Sequence, residues 1–362
     1  MSDDATNGPL TGLRVVEFQG IGPGPHVAMM LADLGAEVVR IERPGYRPMN
    51  EVVERARHRV SVDLKSDDGL AFVRRAVGQA DVLIEGFRPG VMERLGLGPE
   101  EMLSANRRLV YARMTGWGQD GPLAKAAGHD LNYIAITGAL DAIGQKGGLP
   151  IPPQNLVGDF GGGSLFCAMG ILAALYERQS SGRGQVVDAA IVDGVTSLMS
   201  FFYGQPHNAL RSTERGTGLL GGAAHFYRCY TCKDGKEISV GAIEPQFYAE
   251  LIERTEAPSA LRDEQLDPAN WDDHADELKR LFLTKTQAQW VELLEGTDAC
   301  FAPVVPLDEA KDHPHMKARG AFVERDGRWH TAPAPRFERT PGTVRQSAED
   351  GRDIVERWSA NS

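Results

Sequence analysis

Residues 13–42 read LRVVEFQGIGPGPHVAMMLADLGAEVVRIE, and this stretch decides the fold class. Leu13 to Phe18 is a mostly apolar, β-branched run between Gly12 and Gly20, the pattern of a largely buried strand. Residues 24–34 then carry Val27, Met30, Leu31 and Leu34 on one helical stripe, and Gly35 supplies the stop. A second strand follows at Glu37 to Ile41. The alternation continues with a helix near 67–79, a strand at Val82 to Ile84, a helix near 98–105 and a strand at Leu109 to Met114. A helix at 164–178, with Ser164 as its cap, and a strand-then-helix return at 185–194 complete the series. Strands alternating with helices predict an α/β fold, a Rossmann-like domain on a parallel sheet.

Residues 203–224 change character, with five glycines among mixed polar residues, and read as a linker or mobile loop. FYRCYT, KDGK and EISVGAI then predict a β-hairpin around Asp234-Gly235. Helices near 246–255, 273–284 and 286–296 complete a smaller α+β unit, and PAPRFERTPG reads as extended surface chain.

The composition is globular: 362 residues, 25% charged and 42% hydrophobic. A net charge of −11 argues against general nucleic-acid binding, which rests on cations neutralising phosphates. Four cysteines are too few for a disulfide framework in this length, which points to a reducing, cytoplasmic setting. The polar, acidic start, Met1 to Pro9, does not read as a signal peptide, and Ala360-Asn361-Ser362 is not a peroxisomal address. The longest apolar run, Leu165 to Tyr176, is too short to span a bilayer.

Two motifs fail on inspection. GIGPGP at 20–25, with Glu42 ending the second strand, superficially copies a dinucleotide fingerprint. Pro25 stands where the third glycine belongs, and Pro23 and Pro25 lack the N–H groups a pyrophosphate needs, so a tight strand-to-helix turn is the better reading. CYTC at 229–232 has no second pair to complete a zinc site, and residues three apart on a strand face opposite ways. No metal is expected.

Two others carry chemistry. Arg40, Arg43, Arg47, Arg55, Arg57, Arg59 and Lys65 crowd one stretch of an acidic chain; a solvated face is the plain alternative to a phosphate site at the strand ends. Arg88, in EGFRPG after the third strand, is a similar candidate. GHDLNY at 128–133 and VGDFGGGS at 157–164 pair a histidine with an aspartate set one residue before three glycines and a helix start. Those glycines suit close approach of a ligand, and the amides a developing anion. Asp159 as a mere helix cap is the competing reading.

At these residues the chain resembles the family III CoA-transferase superfamily, in particular its branch that racemises 2-methylacyl-CoA thioesters. The matching segments run from Leu13 to about Arg336: GLRVVEFQGIGPGPH, LADLGAEVVRIERP, RLVYARMTGWGQDGP, AGHDLNYIA, NLVGDFGGGS, GQVVDAAIVDG, VGAIEPQFY and DACFAPV. The resemblance implies that His129 and Asp159 are catalytic and that Glu244 supports the histidine. It places coenzyme A contacts at Arg43, at 61–64 (Ser61, Val62, Asp63, Leu64) and at Gly128, Asp130, Leu131 and Asn132; the residues themselves add Lys65, Arg88, Gly161 and Gly162 as candidates. It further implies an interlocked homodimer. The expected division is 1–190 with 330–362 as the large CoA-binding domain, 191–225 and 306–329 as linkers, and 226–305 as the small domain. One stretch departs from the pattern: LLGGAAHFY stands at 219–227 where the racemases carry LDGGAP, and 197–215 match poorly, so the acyl chain is not assigned.

Moving an α-proton beside a thioester needs a base, a donor for the enolate oxygen and an acid on the opposite face. His129, the glycine-loop amides and Asp159 are the expected set, with burial offsetting the helix dipole at Asp159. No cofactor is expected, because coenzyme A is part of the substrate. The runner-up is a CoA-transferase with Asp159 as nucleophile, forming an acyl anhydride and then a CoA thioester. That chemistry needs no base at position 129, so His129 favours the racemase. A non-catalytic acyl-CoA binding module leaves both residues without a role. If Arg43 binds phosphate, Arg43→Ala should raise KM severalfold with kcat little changed, since the phosphates lie far from the reacting carbon; an unchanged KM with a collapsed kcat refutes this.

Overall fold

A computed structural model describes residues 8–205, 212, 214–346 and 349–360. The readings of the first seven residues, of the last two, and of 206–211 and 213 within the glycine-rich stretch lie outside the described residues. The described chain forms two compact units. One draws on Met1–Thr137, Pro153–Met199 and Arg319–Ser362, the other on Gly138–Pro152 and Ser200–Ala318.

The first unit is built on six parallel strands: β1 (Arg14–Phe18), β2 (Glu37–Glu42), β3 (Arg57–Ser61), β4 (Val82–Glu85), β5 (Val110–Thr115) and β6 (Val186–Ala190). Their order is β3-β2-β1-β4-β5-β6. The chain reverses direction across β1, which puts a crevice at the carboxyl ends of β1 and β4. Val15, Val16, Val38, Val39, Val82 and Leu83 are fully buried, as strands covered on both faces require.

Two elements differ from expectation. Strand β3 lies inside the basic stretch, where the charges mask its pattern. Its Arg57 is 3% exposed, and Arg40 on β2 is fully buried. Arg40 Nη1 donates to Glu17 Oε1 at 2.7 Å, and Arg57 Nε to Glu17 Oε2 at 3.0 Å. Arg55 pairs with Asp33, and Arg59 with Glu42 and Glu54. Neither the phosphate reading nor the solvated face holds for these four arginines; they are internal pairs.

The second difference is the glycine-rich helix. It starts at Leu156 rather than Ser164, and Leu156–Leu165 is a π-helix that runs on into the α-helix Phe166–Ser181. By length and composition alone the joined helix could cross a membrane. It packs on β5 and β6, with Cys167 and Ile171 fully buried, so a helix of the folded unit accounts for it. Its other side leaves Leu165, Met169, Leu172 and Tyr176 exposed.

The second unit carries an antiparallel sheet of β7 (Tyr227–Thr231), β8 (Glu237–Gly241) and β9 (Phe301–Pro303), the first two forming the expected hairpin. Helices Pro245–Thr255, Trp271–Phe282 and Gln287–Leu294 supply Tyr248, Leu251, Phe282 and Trp290 to its core.

His225 is fully buried there. Tyr248 Oη gives its proton to the Leu261 carbonyl at 3.1 Å, so His225 Nε2, 2.7 Å from that oxygen, donates to it. Its Nδ1 is left buried without a partner. Burial first, then His274 and Arg228, push the imidazole down to about 3. The native state therefore refuses a proton that the unfolded chain takes up near 6.5. This stability is whole above 6.5 and is lost as the pH falls toward 3. Stability should drop by about 2 kcal/mol on acidification to about pH 5. His225→Phe should remove that part of the slope in denaturant titrations; an identical slope in the variant would count against this account.

Candidate active site

A cleft of about 480 Å³ opens where the chain leaves β1, β4 and β5. Its walls include Gln19 to Gly24, Gly86 to Pro89, Thr115 to Trp117, Gly128, His129, Tyr133 and Asp159. All of these belong to the first unit.

His129 is exposed in this wall and precedes the helix Asp130–Ile136. Its backbone N–H donates to Asn132 Oδ1 at 3.1 Å, which fixes the turn before that helix. The Tyr133 hydroxyl donates to the Gly128 carbonyl, and the Tyr133 ring stands edge-on to Trp117 at 4.8 Å. Added Cβ atoms would lie 2.7 Å from this ring at Gly128 and 2.0 Å from it at Gly116. Two missing side chains thus let one aromatic ring clamp the peptide ahead of His129.

Asp159 comes from the π-helix. A wider i+5 turn is visible in Phe160 N–H donating to the Asn155 carbonyl at 3.1 Å. The buried Ser164 hydroxyl lies 3.1 Å from both the Asp159 and the Pro23 carbonyls and ties the two segments together. Asp159 makes no side-chain cap, which removes the capping alternative. Burial, and then the nearby Asp130, push its carboxyl up to about 6, with His129 opposing.

The turn Gly20 to Pro25 is more than a tight connection. Gly22 has φ 67°, and a Cβ there would sit 2.6 Å from Asp159 Oδ2. The turn also opens the helix Pro23–Asp33, whose first three residues offer only the Gly24 amide because Pro23 and Pro25 have none. That helix start is therefore a poor anion trap, and the carboxylate against it keeps its affinity for a proton. Sequence reasoning missed this wall; its signal was the paired prolines, read only as a failed nucleotide loop.

Two other carboxylates near the cleft are occupied. Glu85, 1% exposed, accepts from Arg113 Nε at 3.0 Å and from the Phe87 amide at 2.7 Å. Glu42 accepts from Arg59 Nη1 at 2.9 Å, so it is no ribose acceptor.

Of the expected contacts, Arg88 and Gly128 line the cleft, whereas Asp130, Leu131 and Asn132 lie in the turn beside it. Arg43, Ser61, Val62, Asp63, Leu64 and Lys65 are outside the cleft wall, at the same carboxyl edge of the sheet. The Arg43 amide donates to Gln19 Oε1 at 2.7 Å, and Gln19 lines the cleft. Gly161 and Gly162 face Leu198 and Val195 of the helix Ile191–Leu198. They serve close packing rather than ligand approach. The Asp159 and Phe160 amides are taken, and the glycine amides expected to form an anion hole lie inside the π-helix Leu156–Leu165 rather than at a free helix start. Glu244 stands in the second unit, ahead of the helix Pro245–Thr255. Among the described residues no group of three or more His, Cys, Asp or Glu is placed to hold a metal ion.

A family model described as CoA-transferase family III matches residues 10–351. An alpha-methylacyl-CoA racemase of Mus musculus is 45% identical, covering 92% of this chain and 87% of its own. The Homo sapiens protein of that name is 43% identical with the same coverage. A CAIB/BAIF family protein from Brucella suis, 24% identical, shares the fold with a TM-score of 0.80 over 98% of this chain and 99% of its own.

Proposed function

The chain belongs to CoA-transferase family III, and we propose that His129 and Asp159 perform its chemistry from opposite faces of a thioester enolate. The enzyme is an isomerase that interconverts (2R)- and (2S)-2-methylacyl-CoA thioesters. One residue takes the α-proton, the electron pair moves onto the thioester carbonyl oxygen, and the other returns a proton to the opposite face. The observation that carries this reading is that His129 and Asp159 line the same cleft, where burial and then Asp130 push the Asp159 carboxyl up to about 6. A carboxyl near 6 can both accept and donate at neutral pH. Since the Asp159 and Phe160 amides are occupied, and those of Asn132 and Tyr133 donate to the His129 carbonyl, the Asp130 and Leu131 amides that open the helix Asp130–Ile136 are assigned to the enolate oxygen.

Both proton-transfer groups come from the chain itself, which supports a reaction without a cofactor, coenzyme A being part of the substrate. Arg88 on the cleft wall, with Arg43 and the Ser61–Lys65 turn on the same sheet edge, is assigned to the coenzyme A phosphates. Glu244 is assigned, on the family resemblance, to support the histidine of a partner chain. Four free cysteines support a reducing, cytoplasmic setting.

In deuterated water, each epimer of a 2-methylacyl-CoA should gain label at the α-carbon as it racemises. His129→Ala and Asp159→Ala should each lower racemisation by about 10²–10⁴-fold. His129→Ala can retain exchange on the epimer facing Asp159. The transferase alternative predicts instead that His129→Ala is tolerated, that hydroxylamine traps an acyl group on Asp159, and that CoA passes to free acids without α-label.

An interlocked homodimer is the assembly proposed. Its support is the uncovered apolar side of the long helix, where Leu165, Met169, Leu172 and Tyr176 lie exposed on one element. Sedimentation should give a dimer at assay concentration; a stable, fully active monomer would exclude it.

A further inference from the structure

The acid-base reading gives Asp159 a role and leaves its neighbour Asp130 without one. Asp130 is only 9% exposed, although it opens a helix beside the cleft. Its Oδ2 accepts the Asp159 backbone N–H at 2.6 Å, while its Oδ1 is buried with no hydrogen-bond partner. No ion pair reaches this side chain among the described residues. A buried, unneutralised carboxylate is unfavourable and persists only where the surrounding structure enforces it. Gly158 shows that enforcement: a Cβ there would lie 2.3 Å from Asp130 Oδ2. The chain has kept the residue before Asp159 bare, so that a second carboxylate can press against the Asp159 peptide.

We propose that Asp130 is a positioning residue for the proton transfer, its side chain clamping the Asp159 peptide and setting a fixed negative charge against the Asp159 carboxyl. This rests on Asp159 being one of the two proton-transfer groups. The clamp holds the carboxyl in the cleft wall. The charge opposes loss of the Asp159 proton, in the direction expected of a like-charged neighbour. Other titratable groups around Asp159 are few. His129 and Tyr133 flank Asp130, His26 of the helix Pro23–Asp33 stacks on Phe160 at 4.3 Å, and Glu85 and Arg88 lie elsewhere on the cleft wall. The helix Ile191–Leu198 meets this segment with apolar Ile191 and Val195. Burial holds the Asp159 carboxyl up first; His129 pulls it down and Glu85 is bonded to Arg113, so Asp130 is the neighbouring charge that adds to burial.

The test separates clamp from charge. Asp130→Asn keeps an oxygen for the Asp159 amide and removes the charge. The acid limb of the kcat/KM profile for racemisation should then move roughly one pH unit lower, read as an apparent value for the coupled pair. Asp130→Glu should leave the limb closer to its original place. An unmoved limb in folded Asp130→Asn overturns the proposal, because a purely structural role would change the rate and not the profile. Should that variant fail to fold, carboxyl ¹³C titration of wild-type Asp159 decides. A two-step curve coupled to a second carboxyl supports the proposal, and a single uncoupled step overturns it. Asp159→Ala keeps the two layers apart. Full racemisation there rejects Asp159 as a catalytic group, while its loss beside an unmoved limb in Asp130→Asn rejects only the role of Asp130.

Discussion

Glu17, fully buried in the middle of a parallel sheet, accepts one guanidinium from β2 and another from β3. Three adjacent strands are thereby joined through side chains as well as through their ladder. Arg57 extends the tie by donating to the Pro25 carbonyl, in the first turn of the helix Pro23–Asp33. The turn that forms one wall of the cleft is therefore anchored to the sheet interior by a charge pair. Removing Glu17 would strand the Arg57 charge in the core, typically about 3–5 kcal/mol of destabilisation, whereas Arg40 would keep Glu42 and Glu54. Glu17 is consequently the member on which the anchoring of the cleft turn depends.

The parallel core was legible because its strands are apolar on both faces, so LRVVEF, EVVRIE and VLIE announce themselves without an alternating pattern. Strand β3 was not, since RHRVS pairs its arginines internally and reads from outside as a charged surface segment. Opposite charges that find each other only in three dimensions leave no periodic trace. The hairpin of β7 and β8 was visible from its Asp234-Gly235 turn. The joining of distant β9 to β8 was not, because Phe301–Pro303 is too short to carry a pattern.

The same division runs through the site. His129 and Asp159 stood out as polar residues beside glycines, and the structure brings both into the lining of one cleft. What those glycines do was misread. Gly116, Gly128 and Gly158 make room for a tyrosine ring and a carboxylate, and Gly162 and Gly163 for a crossing helix. A missing side chain can admit a ligand or a neighbouring part of the protein, and sequence alone does not separate the two. Gly22 stands directly against a carboxylate oxygen of Asp159.

The i+5 hydrogen bonding of Leu156–Leu165 has a consequence for how this enzyme can vary. A π-helical turn is in effect an α-helix carrying one surplus residue, and successive α-helical residues are rotated by about 100°. Loss of a single residue from this segment would leave a regular, apolar helix able to lie along the sheet. Its aspartate, however, would point about a quarter-turn away from the histidine. The pair proposed to move the proton is thus held in phase by the length of one short segment, where an insertion or deletion harmless to folding would silence the proposed chemistry.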